Sequence, residues 1–307
     1  MESIKCKNLS KTYHGGKKAL KKITFSFKGN GIISIIGKNG AGKTTLIRIL
    51  STELMPTSGS AYINDIDIIK TPELIREKIA IVPQEARPIH WLSPKQNIIS
   101  YLMYRGYGFF ESMEKAKTAL KKVSLNSNLN KINRVLSGGT KRKVLVATVL
   151  SSGAKIIFLD EPTTGLDPIS RNELWDVLNK LKKDYLIILT THYLEEAERL
   201  ADKVGIIDNG KLLAFDSIDG LRKKIKYNYS LKVQGDFPKL KSYHGKVIKG
   251  IDNNYQILTN EEGSYILSKI FIKKGIRFST NQISLEDIFY YMVKKPITEE
   301  RVEEDEW

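Results

Sequence analysis

The chain has 307 residues, 41% of them hydrophobic and 27% charged, with 9 Pro and a single cysteine, Cys6. That length suits one large domain, or a large one beside a small one, and the composition excludes disordered, collagen-like and disulfide-stapled classes. Fifty basic residues against 34 acidic ones leave a charge of +16, which points to nucleic acid, an anionic membrane surface or polyanionic ligands.

The basic residues are spread in short groups such as Lys17-Lys18, Lys21-Lys22 and Arg222-Lys223-Lys224. With no long basic tract and no interleaved aromatics, specific nucleic-acid binding is not expected. The longest apolar runs, 156–159 and 186–189, fall far short of the roughly 18 residues a spanning helix needs. A polar start without a secretory signal, and one cysteine that forms no internal disulfide, read as cytoplasmic. The Lys- and Ile-rich usage fits a thermophile and an AT-rich genome equally well.

In chain order, residues 31–36 (Gly-Ile-Ile-Ser-Ile-Ile) read as a buried strand, glycines 37, 40 and 42 as a loop, and residues 43–50 as a helix. Residues 92–129 read as inserted helices, with 112–123 clearly periodic, and a further helical run covers 141–150. Strands at 156–159, 186–189 and 204–207 alternate with helices at 170–181 and 193–200, the pattern of a parallel sheet covered on both faces. Asp208-Asn209-Gly210-Lys211 signals a hairpin at its edge. Beyond Phe215 come a short helix ending near 225, strands at 229–233, 246–251 and 255–259, a helix at 263–273, a strand at 277–280 and a helix at 284–294. The expected division is a large domain over 1–225 with a helical subdomain over about 92–150, a small α+β domain over 226–295 and an acidic tail over 296–307.

Three short motifs carry chemistry. Gly37-Lys38-Asn39-Gly40-Ala41-Gly42-Lys43-Thr44 fits G-x-x-x-x-G-K-[ST], in which residues without side chains let successive backbone N–H groups turn inward around phosphate oxygens. Lys43 can reach the β- and γ-phosphates, Thr44 offers a hydroxyl to Mg²⁺, and the following helix presents its positive end. Residues 156–159 end in Asp160-Glu161, at the sheet edge where ligands lie. Asp160 would hold Mg²⁺ directly or through water, and Glu161, pointing differently, would orient or deprotonate the attacking water. Leu136-Ser137-Gly138-Gly139-Thr140 opens a helix; it is a second anion-seeking helix start or, read in isolation, a capped turn.

Taken together these residues resemble an ABC-type ATPase subunit, the nucleotide-binding component of ATP-binding cassette transporters, over roughly residues 2–225. Gly37 to Thr44 resembles Walker A, Gln84 the Q-loop, Leu136 to Thr140 the signature, Asp160-Glu161 the end of Walker B, Gly165-Leu166-Asp167 the D-loop and His192 the switch histidine. Thr140 departs from the family's commonest residue there, Gln. The resemblance implies an α/β P-loop NTPase core with an inserted helical subdomain and an N-terminal antiparallel β region, followed by the small α+β domain. It implies ATP and Mg²⁺ as ligands, with Tyr13 stacking on adenine, residues 37–44 and Thr45 around the phosphates, and Thr44, Gln84 and Asp160 at the metal. It also implies a catalytic set of Lys43, Gln84, Glu161 and His192, in a head-to-tail dimer where Ser137, Gly138, Gly139 and Asp167 serve the partner's ATP.

Ser284-Leu-Glu-Asp-Ile-Phe289 is similar to the end of the C-terminal extension of drug-export and related ABC-2-type members. The implied activity is ATP hydrolysis driving separate transmembrane permease subunits, as an export motor peripheral to the inner face of the cell membrane. The second ATPase subunit of the dimer would be identical or related. The competing expectation is a soluble ABC ATPase acting on a ribosome, nucleic acid or a regulator.

Overall fold

A computed structural model describes residues 1–125, 131–234, 245–249 and 254–293. The expected acidic tail, the last residues of the 246–251 strand and Lys294 lie outside these. Two compact units emerge, Met1–Phe215 and Asp216–Trp307.

The first unit begins with the long strands β1 (Ser3–Thr12) and β2 (Lys18–Lys28), followed by the short buried β3 (Gly31–Ile36) and α1 (Lys43–Leu50). Then come β4 (Ser58–Ile63), β5 (Ile66–Asp67), α2 (Pro72–Arg76) and β6 (Ile79–Val82). The helical insertion holds α3 (Pro94–Tyr104), α4 (Phe109–Lys122) and α5 (Gly138–Ser151). The chain then alternates through β7 (Ile156–Asp160), α6 (Pro168–Leu181), β8 (Leu186–Thr191), α7 (Leu194–Leu200), β9 (Lys203–Asp208) and β10 (Lys211–Asp216). One sheet runs β2-β1-β4-β5, with β1 antiparallel to both β2 and β4; the other runs β10-β9-β3-β8-β7-β6.

The six-stranded sheet is where composition becomes architecture. All residues of β3, β7 and β8 are buried, as parallel strands covered on both faces must be. The two-residue period then sorts one strand into two cores. Ile156 and Phe158 pack with Leu46 and Ile47 of α1 and Ile4 of β1, whereas Ile157 and Leu159 pack with Val144, Trp175 and Leu178 on the helical side. Each enclosed aliphatic contributes about 1.5–3 kcal/mol relative to exposure, so neither face tolerates a register slip.

Local signals set the element ends. Ser93 and Gln96 form a reciprocal capping box ahead of Pro94, which satisfies backbone donors that α3 would leave open. At the expected hairpin, Asn209 (φ 47°) and Gly210 (φ 78°) are both left-handed, as a two-residue primed turn requires. Helix α6 starts at Pro168, before the residue 170 start read from the periodicity, because Asp167 caps it and Pro suits its first turn.

In the second unit, α8 (Ile218–Lys223) precedes β11 (Tyr229–Gln234), β12 (Gly245–Lys249), β13 (Asn254–Thr259), α9 (Glu261–Lys273), β14 (Phe278–Gln282) and α10 (Leu285–Val293). The strands form an antiparallel sheet, β12-β13-β11-β14, and Leu231, Val233 and Ile257 meet Leu267 and Phe271 of α9 in its core. Asp287 is buried, accepting hydrogen bonds from Ser284 N at 2.8 Å and from Gln256 Nε2. The acidic centre of the Ser284–Phe289 motif therefore fastens α10 to β13.

Candidate nucleotide-binding site

The loop after β3 is shaped by close backbone approach. A Cβ on Gly37 would meet Ile207 O at 2.3 Å, and one on Gly42, whose φ is +112°, would meet Ala19 O at 2.5 Å. No side chain fits either place, so the loop lies directly on β9 and β2. The hairpin turn braces it further: Gly210 N donates to Ala41 O at 3.0 Å, and Lys21 N donates to Gly210 O at 2.7 Å. Lys43 is drawn inward and only 5% exposed, its Nζ donating to Gly37 O at 2.9 Å and Lys38 O at 3.3 Å. Tyr13 OH pairs with Thr45 Oγ1 at 3.2 Å. Lys38 and Asn39 are exposed at the loop's tip, followed by left-handed Gly40.

Sheet order delivers the remaining groups. In the parallel register Ile36 lies opposite Thr191, and Asp160 opposite Thr190, so the loop, the carboxylates and the histidine leave one sheet edge together. Asp160 is buried and accepts from the hydroxyls of Thr190 and Thr44, the latter at 3.3 Å. Glu161 turns away from it through a left-handed conformation (φ 47°), which costs a non-glycine residue on the order of 1–3 kcal/mol. Its N–H is held by Thr190 O at 3.1 Å and Thr190 Oγ1 at 3.0 Å. The carboxylate thereby reaches four groups. Oε1 lies 3.4 Å from Lys43 Nζ, while Oε2 lies 3.1 Å from His192 Nδ1, 3.0 Å from Thr164 Oγ1 and 3.4 Å from Gln84 Nε2. Tyr13, Gly40, Gly42, Lys43, Thr44, Gln84, Glu161 and His192 help line one cavity of about 520 Å³.

Ser137, Gly138, Gly139 and Asp167 do not line that cavity. Ser137 caps α5, its Oγ accepting from Thr140 N at 3.2 Å, and Thr140 spends its hydroxyl on Ser137 at 2.9 Å. Ser137 and Gly138 are exposed. Asp167 caps α6 by accepting from Ser170 N at 2.9 Å; that hydrogen bonding holds its exposed carboxyl below the usual range. The two helix starts touch, since a Cβ on Gly139 would lie 2.5 Å from Ser170 Cβ.

Several residues of this region were not singled out from the sequence. Thr164 and Thr190 fix both carboxylates, and each is legible afterwards as a hydroxyl next to a motif residue. Arg142 of α5 donates to Gln84 O at 2.7 Å, and burial together with nearby Arg87 pushes its pKa down. Nothing in a single sequence marks that contact across 58 residues.

The fold and the convergent lysine, hydroxyl and carboxylates define a P-loop ATPase of the α/β class. The family model described as ABC transporter matches residues 20–164. The daunorubicin/doxorubicin resistance ATP-binding protein DrrA of Streptomyces peucetius is 32% identical over 227 residues, which is 74% of this chain and 68% of that protein. Human phospholipid-transporting ATPase ABCA3 is 35% identical over 231 residues, again 74% of this chain but 14% of its own length. The chain thus spans only a small part of the ABCA proteins it matches. Among solved structures, cbiO1 from Clostridium perfringens, part of the ABC transporter complex cbiONQ, has a TM-score of 0.65 at 28% identity, covering 72% of this chain and 93% of that one. The ATP-binding cassette MJ0796, as a dimer bound to ADP and Pi, gives 0.63 at 28% identity, with 70% and 98% covered. The chain belongs to the ABC transporter family, as one of its ATP-binding ATPase cassettes.

Proposed function

We propose that this cassette hydrolyses ATP as the motor subunit of an exporter, using Lys43, Gln84, Glu161 and His192, and that two such cassettes close on ATP. The observation that carries this reading is the Glu161 carboxylate, within 3.4 Å of Lys43, Gln84 and His192 at the wall of the loop cavity. With triphosphate in the loop, Lys43 exchanges its carbonyl and Glu161 contacts for β- and γ-phosphate oxygens, and Tyr13 lies under the base. Glu161 takes a proton from the water that attacks the γ-phosphorus; the bond to the ADP oxygen breaks, and ADP and inorganic phosphate result. Gln84 orients that water, and His192 contacts the γ-phosphate while holding Glu161 in place.

The hydroxyl of Thr44 and the Asp160 carboxylate 3.3 Å from it are oxygen donors that fit Mg²⁺, and Gln84 would add its amide oxygen. Held there, the ion would supply charge neutralisation during phosphoryl transfer. Exposed Ser137 and Gly138, with Gly139 and Asp167, point to a second protomer whose nucleotide they complete.

Export is supported by the likeness to DrrA, and a separate permease by cbiO1, which belongs to a transporter complex. Among the described residues no helix is long and apolar enough to cross a membrane, so in this reading other subunits form the pathway. The cassette works at the inner membrane face, and residues 226–295 act as its regulatory or dimer-stabilising domain. Glu161→Gln should lower turnover by about 10² or more while leaving ATP binding intact, and should trap an ATP-dependent dimer on size exclusion. Wild-type turnover in that variant removes Glu161 from the role of base.

A further inference from the structure

Behind the Glu161–His192 pair lies a polar cluster that the hydrolytic reading does not use. Glu196 on α7 is completely enclosed, at 0% exposure. Its Oε1 accepts from Trp175 Nε1 of α6 at 3.0 Å, and its carboxyl faces the Thr163 and Thr191 side chains and the Arg171 guanidinium. Thr163 Oγ1, Arg171 Nε and Glu196 Oε2 are buried and meet no hydrogen-bond partner within normal distance. Buried polar atoms without partners call for a reason, and Thr163, Thr191 and Arg171 are the groups that face the Glu196 carboxyl besides Trp175. Burial pushes the Glu196 pKa up, against the neighbouring Thr191, Trp175 and Thr163 side chains and the Arg171 charge, which lower it. A neutral carboxyl can accept at one oxygen and donate at the other.

The neighbours of this group give the cluster its meaning. Thr163 stands beside Thr164, whose hydroxyl donates to Glu161 Oε2 at 3.0 Å. Thr191 precedes His192; its Oγ1 accepts from Tyr193 N at 2.9 Å, leaving its own proton for Glu196. The Arg171 guanidinium lies 4.1 Å from the centre of the Tyr193 ring, which is itself 4.1 Å from that of His192. One buried side chain thus adjoins the two segments that carry Glu161 and His192.

We infer that Glu196 is a positioning residue for ATP hydrolysis, holding the segments of Thr163 and Thr191 against Trp175 and thereby fixing the separation of Glu161 and His192. This rests on the proposed roles of those two residues. A core residue that merely fills space would affect folding and nucleotide affinity without selecting the chemical step, so the kinetic pattern separates the two cases.

The test is steady-state and single-turnover hydrolysis by the full chain, with ATP affinity measured alongside. Glu196→Ala should lower kcat about tenfold or more with KM for ATP within about threefold, the signature of a lost transition-state contribution. Glu196→Gln, which accepts and donates as the neutral carboxyl does, should restore kcat to within about twofold of wild type. In a His192→Ala background, Glu196→Ala should cause less than about twofold further loss, because the two changes disable one device. If Glu196→Ala does not fold, Thr163→Val decides: it keeps the volume, removes one hydroxyl and should lower kcat several-fold. Unchanged kcat in Glu196→Ala, or in Thr163→Val when that variant decides, overturns the inference, as does a full tenfold loss on top of His192→Ala. If Glu161→Gln and His192→Ala themselves turn over ATP normally, the proposed function fails first, and the Glu196 result is then read against that failure.

Discussion

Two glycine-containing loops open helices on this cassette, and they are built in opposite ways. The loop of residues 37–44 is pressed against backbone from β9 and β2, and its lysine turns inward to 5% exposure among carbonyls and Glu161. The loop of residues 136–140 is held by one hydroxyl cap, and its serine and first glycine face outward. A Cβ on Gly138 would meet nothing nearer than Leu166 Cδ2 at 3.5 Å. The first loop therefore finds its counter-charges inside its own chain. The second leaves Ser137 and Gly138 open at the surface.

Substitutions at each loop can break or sharpen that contrast. The largest effect is expected at Lys43: Lys43→Ala should weaken ATP affinity by about 10² or more, since the point charge on the β- and γ-phosphates is lost. A calorimetric titration that finds wild-type affinity would sever the inward loop from the nucleotide. Next comes Ser137→Ala, expected to lower turnover about tenfold and to abolish the ATP-dependent dimer while leaving ATP affinity of the single chain unchanged. Equal loss of affinity and turnover would place Ser137 in its own chain's site and erase the difference between the loops.

Smaller effects concern stability. Gly42→Ala would force φ of +112° on a side chain and a 2.5 Å approach to Ala19 O, so chemical denaturation should report a loss of about 1–3 kcal/mol or more. Gly138→Ala should stay within about 0.5 kcal/mol, whatever it does to hydrolysis. The smallest expected effect is a pH dependence at Glu196, away from both loops. Its folded-state pKa is raised above the ordinary 4.5 by burial, so its contribution is fully present below that value and is lost as pH rises through the folded pKa. Stability measured against Glu196→Gln should show the wild type losing ground as pH rises above 4.5; parallel curves would mean the carboxyl is not held protonated.

Much of this was legible in the residues. The strand of residues 31–36, helix α1 and the Asn209-Gly210 turn follow from β-branched runs, glycine spacing and turn chemistry, all local. The loop lysine and the strand-end carboxylates were legible for the same reason, since phosphate and metal chemistry demands those residue types in short order. Less legible were Thr190, the Arg142 contact to the Gln84 backbone and the Glu196 cluster, because each depends on elements distant in the chain meeting in space. Signature residues 137–139 were readable from the residues as a helix start, whereas a place apart from the cavity of their own chain was implied only by the family resemblance.

By itself the sequence determined the kind of chemistry: a glycine-rich loop whose N–H groups can turn toward phosphate, a lysine and hydroxyl for phosphate and metal, and two acids closing an apolar strand. Tertiary structure decided how those groups meet. With β8 between β3 and β7, and Ile36, Asp160 and Thr191 aligned at one edge, four separate segments bring Lys43, Gln84 and His192 within reach of the one Glu161 carboxylate. The reason is that hydrophobic period and turn residues act over a few neighbours, while strand order and register are set by the packing of the whole sheet between its two cores.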